Sequence, residues 1–363
     1  MSNPYRFVQV GTGGQGARWC RDMLPPNVDD GLVEPVAAVD VDEAAHENAR
    51  EGLGLDDDQL YTDYETAFAE TDADFATVVI PPEFHEAVVD AAVENGLHVL
   101  SEKPIADTLA ASVRIAETVR EAGLKMGVTM THRFRRDVTT LRRLVRAGDY
   151  GPLDYLVCRF TCNARSYGSW GASFRHEMDH ALLVEGGVHH LDILADVADA
   201  PCERLYSQHW TPDWGDYGAG ANALVTMTMA NGVEATYEGA KTNAVGLNGW
   251  EEEYVRAECR DATLILSGGE IRAFPYDEDG EGVGDHTEFA DGDLIPLDEQ
   301  EKWGNVWLVE QFVEWLDGGP EMPTNVRDNL QSMALVEAAI ESGEANEAVA
   351  VQELLAAARD DGL

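Results

Sequence analysis

From Tyr5 to about Val128, short apolar runs alternate with amphipathic stretches, and few folds accept that order. "YRFVQV", "VEPVAAV", "FATVVI", "LHVLS" and "LKMGV" read as buried strands. The segments near Asp42–Glu51, Glu83–Glu94 and Asp107–Glu121 read as helices between them. A strand–helix–strand step closes with a right-handed crossover, so the strands become parallel neighbours and helices cover both faces of the sheet. A doubly wound α/β domain is expected over residues 1–128. After roughly Thr129 the pattern changes. An arginine-rich helix, "RRDVTTLRRLVRAG", leads into strand-like segments: "LDYLVCRFTC", "ANALVTMTMA", "GVEATYEGAK", "EYVRAECRD" and "ATLILSGGEIRAF". The Asn-Gly pair of "MANGV" lies between two of them and predicts a hairpin. Helices are expected near Trp303–Leu316 and Asn325–Glu341, and the acid-rich Asp277–Glu301 as an exposed loop. Residues 129–363 read as an α+β domain with a large, open, mostly antiparallel sheet.

The chain carries 25 basic and 68 acidic residues, a net charge of −43, in a sequence that is 44% hydrophobic. Disorder pairs high charge with few apolar residues, so this charge belongs to the surface of a folded core. At low salt such a surface repels itself. At molar salt the screening length falls to roughly 3 Å and the repulsion largely vanishes. A salt-filled cytoplasm, as in a halophilic microbe, is the expected setting; an acidic protein of an ordinary cell is the alternative. Nucleic acid and anionic membranes are excluded as partners, since both are met with basic surface. The five cysteines (Cys20, Cys158, Cys162, Cys202, Cys259) are scattered and form no CxxC pair, which implies neither a disulfide framework nor a zinc knuckle. With no charged-then-apolar leader before the first strand and no run of 18 apolar residues, a cytoplasmic chain is expected.

Directly after the first strand, "VQVGTGGQGARW" places Gly11, Gly13 and Gly16 in a GxGxxG spacing. Glycine serves the tight turn, the close approach of backbone to a pyrophosphate, and helix–strand contact. The turn residues Gly11, Thr12, Gly13, Gly14, Gln15 and Gly16 are thus the candidate phosphate cradle, with the following helix N-terminus supplying N–H groups. The second strand ends in "VAAVD". Asp40 there can accept hydrogen bonds from an adenosine ribose and would repel the extra phosphate of NADP. The first domain is expected to be a Rossmann domain that binds NAD.

"VVIPPEFHEAVVDAAVENGLHVLSEKPIA" and, further on, "LLVEGGVHHLDILADV" resemble the Gfo/Idh/MocA oxidoreductase family, which includes inositol dehydrogenase and glucose–fructose oxidoreductase. Pro81, His85, Glu102, Lys103 and Pro104 fit the family's Thr-Pro-x-x-x-His turn and Glu-Lys-Pro signature, with Ile80 where threonine is usual. Glu185, Gly187, His189 and Asp192 fit its Asp-x-Gly-x-His-x-x-Asp pattern, with glutamate where many members have aspartate. Arg133 fits an Arg-Phe step that approaches the cofactor. The resemblance implies that Ile80, Pro81, His85, Glu102, Lys103 and Arg133 join the cofactor side. It also implies that the late helix packs back on the first domain, and that the chain forms a homodimer or homotetramer through the second sheet.

The implied chemistry is coherent. Removing hydride from an alcohol carbon leaves a proton on oxygen, which a histidine near neutral pKa can take. Lys103, one of only four lysines, can donate to the developing alkoxide. Lys103, His189 and Glu185 are therefore the catalytic candidates, and Asp192, His190, Arg175 and Trp170 the substrate-side ones. On a helix, the spacing of Glu185, His189 and Asp192 places them near one face. His176 and His180 with Glu185, His189 and His190 could suggest a metal, but the Gly186-Gly187 pair breaks the segment and no HExxH occurs, so no metal is expected. Arg133 to Arg146 hold six arginines, read as a stripe paired with acidic neighbours rather than an anion site. Three functions remain open: an NAD-dependent dehydrogenase of a sugar, polyol or related compound; a glycosidase that retains NAD and oxidises transiently; and a sensor that binds NAD(H) without turnover.

Overall fold

The computed structural model describes residues 3–171, 173–278 and 287–361. The chain forms two compact units. The first comprises Met1–Phe134, Lys302–Met333 and Ala357–Leu363; the second comprises Arg135–Glu301 and Ala334–Ala356.

In the first unit, β1 (Tyr5–Val10), β2 (Val33–Val39), β3 (Leu60–Tyr61), β4 (Phe75–Val78), β5 (His98–Ser101) and β6 (Met126–Val128) form one sheet in the order β3-β2-β1-β4-β5-β6. Every pairing is parallel. The strands are short and almost wholly buried, as a sheet covered on both faces requires. Helices His46–Leu53, His85–Glu94 and Leu109–Glu121 occupy the three expected segments. Thr108 caps the last of these, its hydroxyl accepting from Ala111 N. The chain order reverses between β1 and β4, where connections leave to opposite sides and open α/β sheets bind ligands. The core on one face joins Phe7 and Phe75, ring centroids 5.4 Å apart, to Phe312 of helix Gly304–Leu316. Residues of the Lys302–Met333 stretch thus complete the core of the first unit.

The second unit holds a nine-stranded sheet built from β7 (Leu153–Thr161), β8 (Cys202–Trp210), β9 (Asn222–Met229), β10 (Glu234–Ala240), β11 (Tyr254–Cys259), β12 (Ala262–Ser267), β13 (Glu270–Pro275), β14 (Asp293–Ile295) and β15 (Val349–Ala350). Its order is β14-β13-β12-β11-β7-β10-β9-β8-β15, antiparallel throughout except for β7 against β10. The Asn231-Gly232 turn joins β9 to β10 as expected, with Gly232 at φ +87°. Along β11 and β12 every second residue is buried, so one face carries a core and the other is open.

Three departures from the sequence reading concern this frame. Helix Tyr64–Glu70 and strands β3, β8, β14 and β15 were not anticipated. The stretch expected as one acidic loop instead contains a 3-10 turn at Phe289–Asp291 and strand β14, while Asp279–His286 lie outside the described residues. The expected break at Gly186-Gly187 does not occur. A π-helical turn, Leu183–Gly187, runs directly into helix Val188–Ala198, because the wider turn absorbs the glycines without interrupting the helix.

The arginine stripe is paired as expected. Arg142 and Arg146 meet Asp196, Arg143 meets Asp298, Arg136 meets Glu299, and Arg135 is buried between Asp137 and Glu253.

Candidate functional site

In the first unit the candidate residues collect at the carboxyl ends of the strands. Gly11 follows β1, Asp40 follows β2, Ile80 follows β4, and Lys103 follows β5. Two of the turn glycines are dictated by the fold itself. Gly11 sits at φ +87°, and a Cβ there would lie 2.1 Å from the Val79 carbonyl oxygen; at Gly16 it would lie 2.2 Å from the Gly11 carbonyl oxygen. Gly14 takes φ +51° with open space around it. Gly13 is different. It needs no positive φ, and a Cβ there would meet nothing closer than 3.6 Å, so the protein alone does not require glycine at that position. A phosphate group approaching the backbone does.

The Asp40 carboxylate anchors this turn. Its Oδ2 accepts the N–H groups of Thr12 (2.8 Å) and Gly13 (2.9 Å), and Oδ1 accepts that of Asp42 (3.0 Å). Asp40 remains partly exposed, and carboxylate oxygens that accept these bonds keep lone pairs for ribose hydroxyls. Glu102 Oε1 accepts the Trp19 indole N–H at 2.7 Å, tying the end of β5 to the helical run that starts at Gln15. The same carboxylate receives the Lys103 backbone N–H at 3.1 Å.

Two residues assigned to the cofactor side have other partners. His85 is fully buried, with its ring nitrogens 2.9 Å and 3.1 Å from the carbonyl oxygens of Ile80 and Ile105. It braces the loop carrying Ile80 and the exposed Pro81 against the segment after Lys103. The Arg133 guanidinium donates to Asp328 (2.8 Å) and to the Pro323 carbonyl (3.1 Å), which anchors it inside the first unit.

In the second unit the π-helical turn carries Glu185 and the following helix carries His189, His190 and Asp192. Glu185 Oε2 accepts from Trp170 Nε1 at 2.6 Å and from Lys241 Nζ at 2.9 Å, while Oε1 lies 3.5 Å from Arg175 Nε. Trp170, expected on the substrate side, thus directs its indole N–H at the catalytic candidate. The ring of His189 stands edge-on to Trp250, centroids 5.6 Å apart, and both His189 and Asp192 are buried.

His190, expected on the substrate side, is placed differently from His189. It is fully buried, with Nδ1 2.8 Å from the Tyr237 hydroxyl and Nε2 3.2 Å from Glu253, because it points into the core between the helix and β10. His176 closes the preceding loop, with Nδ1 2.9 Å from the Asp216 carbonyl and its ring stacked on Tyr217 at 4.2 Å.

Sequence reasoning missed Lys241 entirely. It is fully buried just after β10, and burial pulls its pKa down while the Glu185 carboxylate opposes that shift. A signal was present: in "GVEATYEGAK" Lys241 is in phase with the inward Val233, Ala235, Tyr237 and Gly239.

Comparison with known proteins agrees with this geometry. Residues 5–130 match the model of an oxidoreductase family with an NAD-binding Rossmann fold, and residues 138–257 match that of the GFO/IDH/MocA C-terminal domain. The chain belongs to the Gfo/Idh/MocA oxidoreductase family, and its first unit is an NAD-binding Rossmann domain. It is 49% identical to the uncharacterized protein y4oX of Sinorhizobium fredii over 97% of both chains. It is 28% identical to an inositol 2-dehydrogenase of Corynebacterium glutamicum over 64% of this chain and 66% of that one. An oxidoreductase from Agrobacterium radiobacter, solved with NAD⁺, L-tartaric acid and magnesium, shares the fold at a TM-score of 0.80 and 16% identity, covering 96% of this chain and 99% of that one.

Proposed function

We propose that the protein is an NAD-dependent dehydrogenase that oxidises a secondary alcohol of a sugar, polyol or related compound. The observation that carries this reading is the Glu185 carboxylate, held by Trp170 and Lys241 one helical turn before His189, in a chain whose NAD-binding unit carries Lys103 just after β5. The likeness to an inositol 2-dehydrogenase supports the alcohol class. Bound NAD⁺ supplies the hydride acceptor. His189 takes the hydroxyl proton, Lys103 donates to the oxygen as negative charge develops on it, and Glu185 and Asp192 orient the substrate. Gly13 and its neighbours hold the pyrophosphate and Asp40 the ribose.

The test is NADH formation from NAD⁺ in about 2 M KCl across a panel of inositols, sugars and sugar acids. NADH from at least one alcohol is expected; a bound cofactor with no turnover on any of them would move the reading to a glycosidase or a sensor. Cofactor choice rests on Asp40. Replacing it in Asp40→Asn removes the charge but keeps an acceptor, and should improve NADP⁺ use relative to NAD⁺ by about tenfold or more, near 1.4 kcal/mol. Equal discrimination in the variant would place the preference elsewhere.

The outward face of the second sheet carries half-buried Val157, Ile265 and Phe274 with exposed Leu224 and Leu294, and is the proposed surface for a homodimer or homotetramer. No helix among the described residues is long and apolar enough to cross a membrane. With a net charge of −43, a salt-rich cytoplasm is the proposed setting. The melting temperature should climb steadily between about 0.1 and 2 M KCl as screening removes self-repulsion. A flat or falling curve would point to an ordinary cytoplasm.

A further inference from the structure

We infer that Lys241 is a positioning residue for the proposed dehydrogenation, holding the Glu185 carboxylate against the Trp170 indole from the end of β10. This rests on the reading of Glu185 as part of the site.

The inward side chains of β10 are arranged to hold the helical run that carries the candidate residues. Tyr237, Gly239 and Lys241 are in phase along the strand, all buried. Tyr237 reaches His190 at 2.8 Å and Lys241 reaches Glu185 at 2.9 Å. Gly239 between them leaves room: a Cβ there would lie 2.3 Å from the Tyr237 hydroxyl and 2.6 Å from Leu182. One strand thus fixes two points of the same run, one in the core and one at the carboxylate.

A buried ammonium is costly unless its donors are satisfied, and an apolar side chain of similar volume would fill the space at lower cost. Lys241 Nζ sits in company with Glu185, the Ala181 carbonyl oxygen at 3.1 Å, and the rings of Trp170 and Tyr217, whose centroids lie 4.9 Å and 5.8 Å from Nζ. Arg175, Cys162 and the Tyr217 hydroxyl also bear on the pair. Burial pushes the Cys162 thiol up to about 11 and raises the Tyr217 hydroxyl as well, so neither supplies a competing anion near neutral pH. Both strong donors converge on Oε2, which fixes rotation of the carboxylate and sets Oε1 on the side of Arg175, whose side chain is 35% exposed. Without the lysine, Oε2 loses a charged donor, and the carboxylate is held less firmly. Displacement of a residue that orients substrate lowers turnover by roughly tenfold to a hundredfold.

The experiment compares the full-length native chain with Lys241→Met, Lys241→Gln, Lys241→Arg, Glu185→Gln and the Lys241→Met/Glu185→Gln double variant. One readout is NADH formation from whichever alcohol of the panel the native protein oxidises. The other needs no substrate: the indole N–H resonance of Trp170 in protein labelled with ¹⁵N-tryptophan, assigned through Trp170→Phe. The expected result is a lower kcat in Lys241→Met with an unchanged KM for NAD⁺, partial recovery in Lys241→Arg, and no further loss in the double variant beyond Glu185→Gln. The indole signal should shift in Lys241→Met and become pH-dependent as the carboxylate loses its cation. Lys241→Gln gives the same comparison where the methionine variant fails to fold. An inactive Glu185→Gln beside a Lys241 variant of native kcat and native indole signal would overturn this inference alone. A fully active Glu185→Gln would overturn the role of Glu185 and this inference with it.

Discussion

Lys103→Ala and His189→Ala are each expected to lower kcat by roughly 10²–10⁴-fold, the range that positioned proton-transfer groups contribute, while NAD⁺ affinity stays within a few-fold of native. The separation of the two effects follows from the different roles proposed for the residues. Gly11 to Gly16 and Asp40 are the proposed cofactor cradle, and Asp40 holds that turn through the N–H groups of Thr12, Gly13 and Asp42. Lys103 is anchored by backbone, its N–H donating to Glu102, so truncating the side chain leaves the chain path intact. The two variants should also be non-additive: when one member of a proton-transfer pair is missing, losing the second costs little more. Turnover within threefold of native in either variant would remove that residue from the mechanism, and equal losses in kcat and cofactor affinity would recast it as a binding residue. The check is steady-state kinetics beside a fluorescence titration with NADH.

The second large effect separates glycines that look alike in the sequence. Gly11→Ala forces a Cβ to within 2.1 Å of the Val79 carbonyl at φ +87°. Overpacking and backbone strain together should cost about 3 kcal/mol or more, with loss of cofactor binding as a consequence of a displaced turn. Gly13→Ala meets no such obstacle, since nothing lies closer than 3.6 Å to its Cβ. Its stability should stay within about 0.5 kcal/mol of native, yet its NAD⁺ affinity should fall at least tenfold, about 1.4 kcal/mol, because the side chain fills the space a pyrophosphate needs. Urea unfolding and NADH titration of both variants check this. A Gly13→Ala protein that binds NADH normally would show that the turn serves the fold and not a phosphate.

How far the sequence carried the account depends on what kind of signal each feature leaves. The parallel sheet was legible because five of its strands are continuous apolar runs between amphipathic helices. β3 was not, since Leu60–Tyr61 is two residues long and carries no period. β8 was hidden because "CERLYSQHW" puts the polar Ser207 on a buried position and aromatic side chains on outward ones, which breaks the apolar alternation. The motif residues Glu185, His189 and Asp192 were found by their pattern. The face argument applied to them is weak in the structure, because every residue of helix Val188–Ala198 is buried and a π-helical turn alters the phase before it. His190 illustrates the cost: adjacency to His189 suggested a shared role, but a one-residue step rotates a side chain about 100° around the axis and sent this one to Tyr237. Lys241 lay 56 residues from Glu185 in sequence, and only strand phase connected them.

The central claim is net hydride transfer from a substrate carbinol carbon to the nicotinamide. The most direct test takes an alcohol that the protein consumes, carrying deuterium at the carbinol carbon, incubates it with NAD⁺ and follows the label by mass spectrometry. The account predicts deuterium in NADH released to solution and a ketone or equivalent oxidised product in equal amount. Deuterium returned to a cleaved or rearranged product, with no NADH released, would contradict it and identify transient oxidation by a retained cofactor.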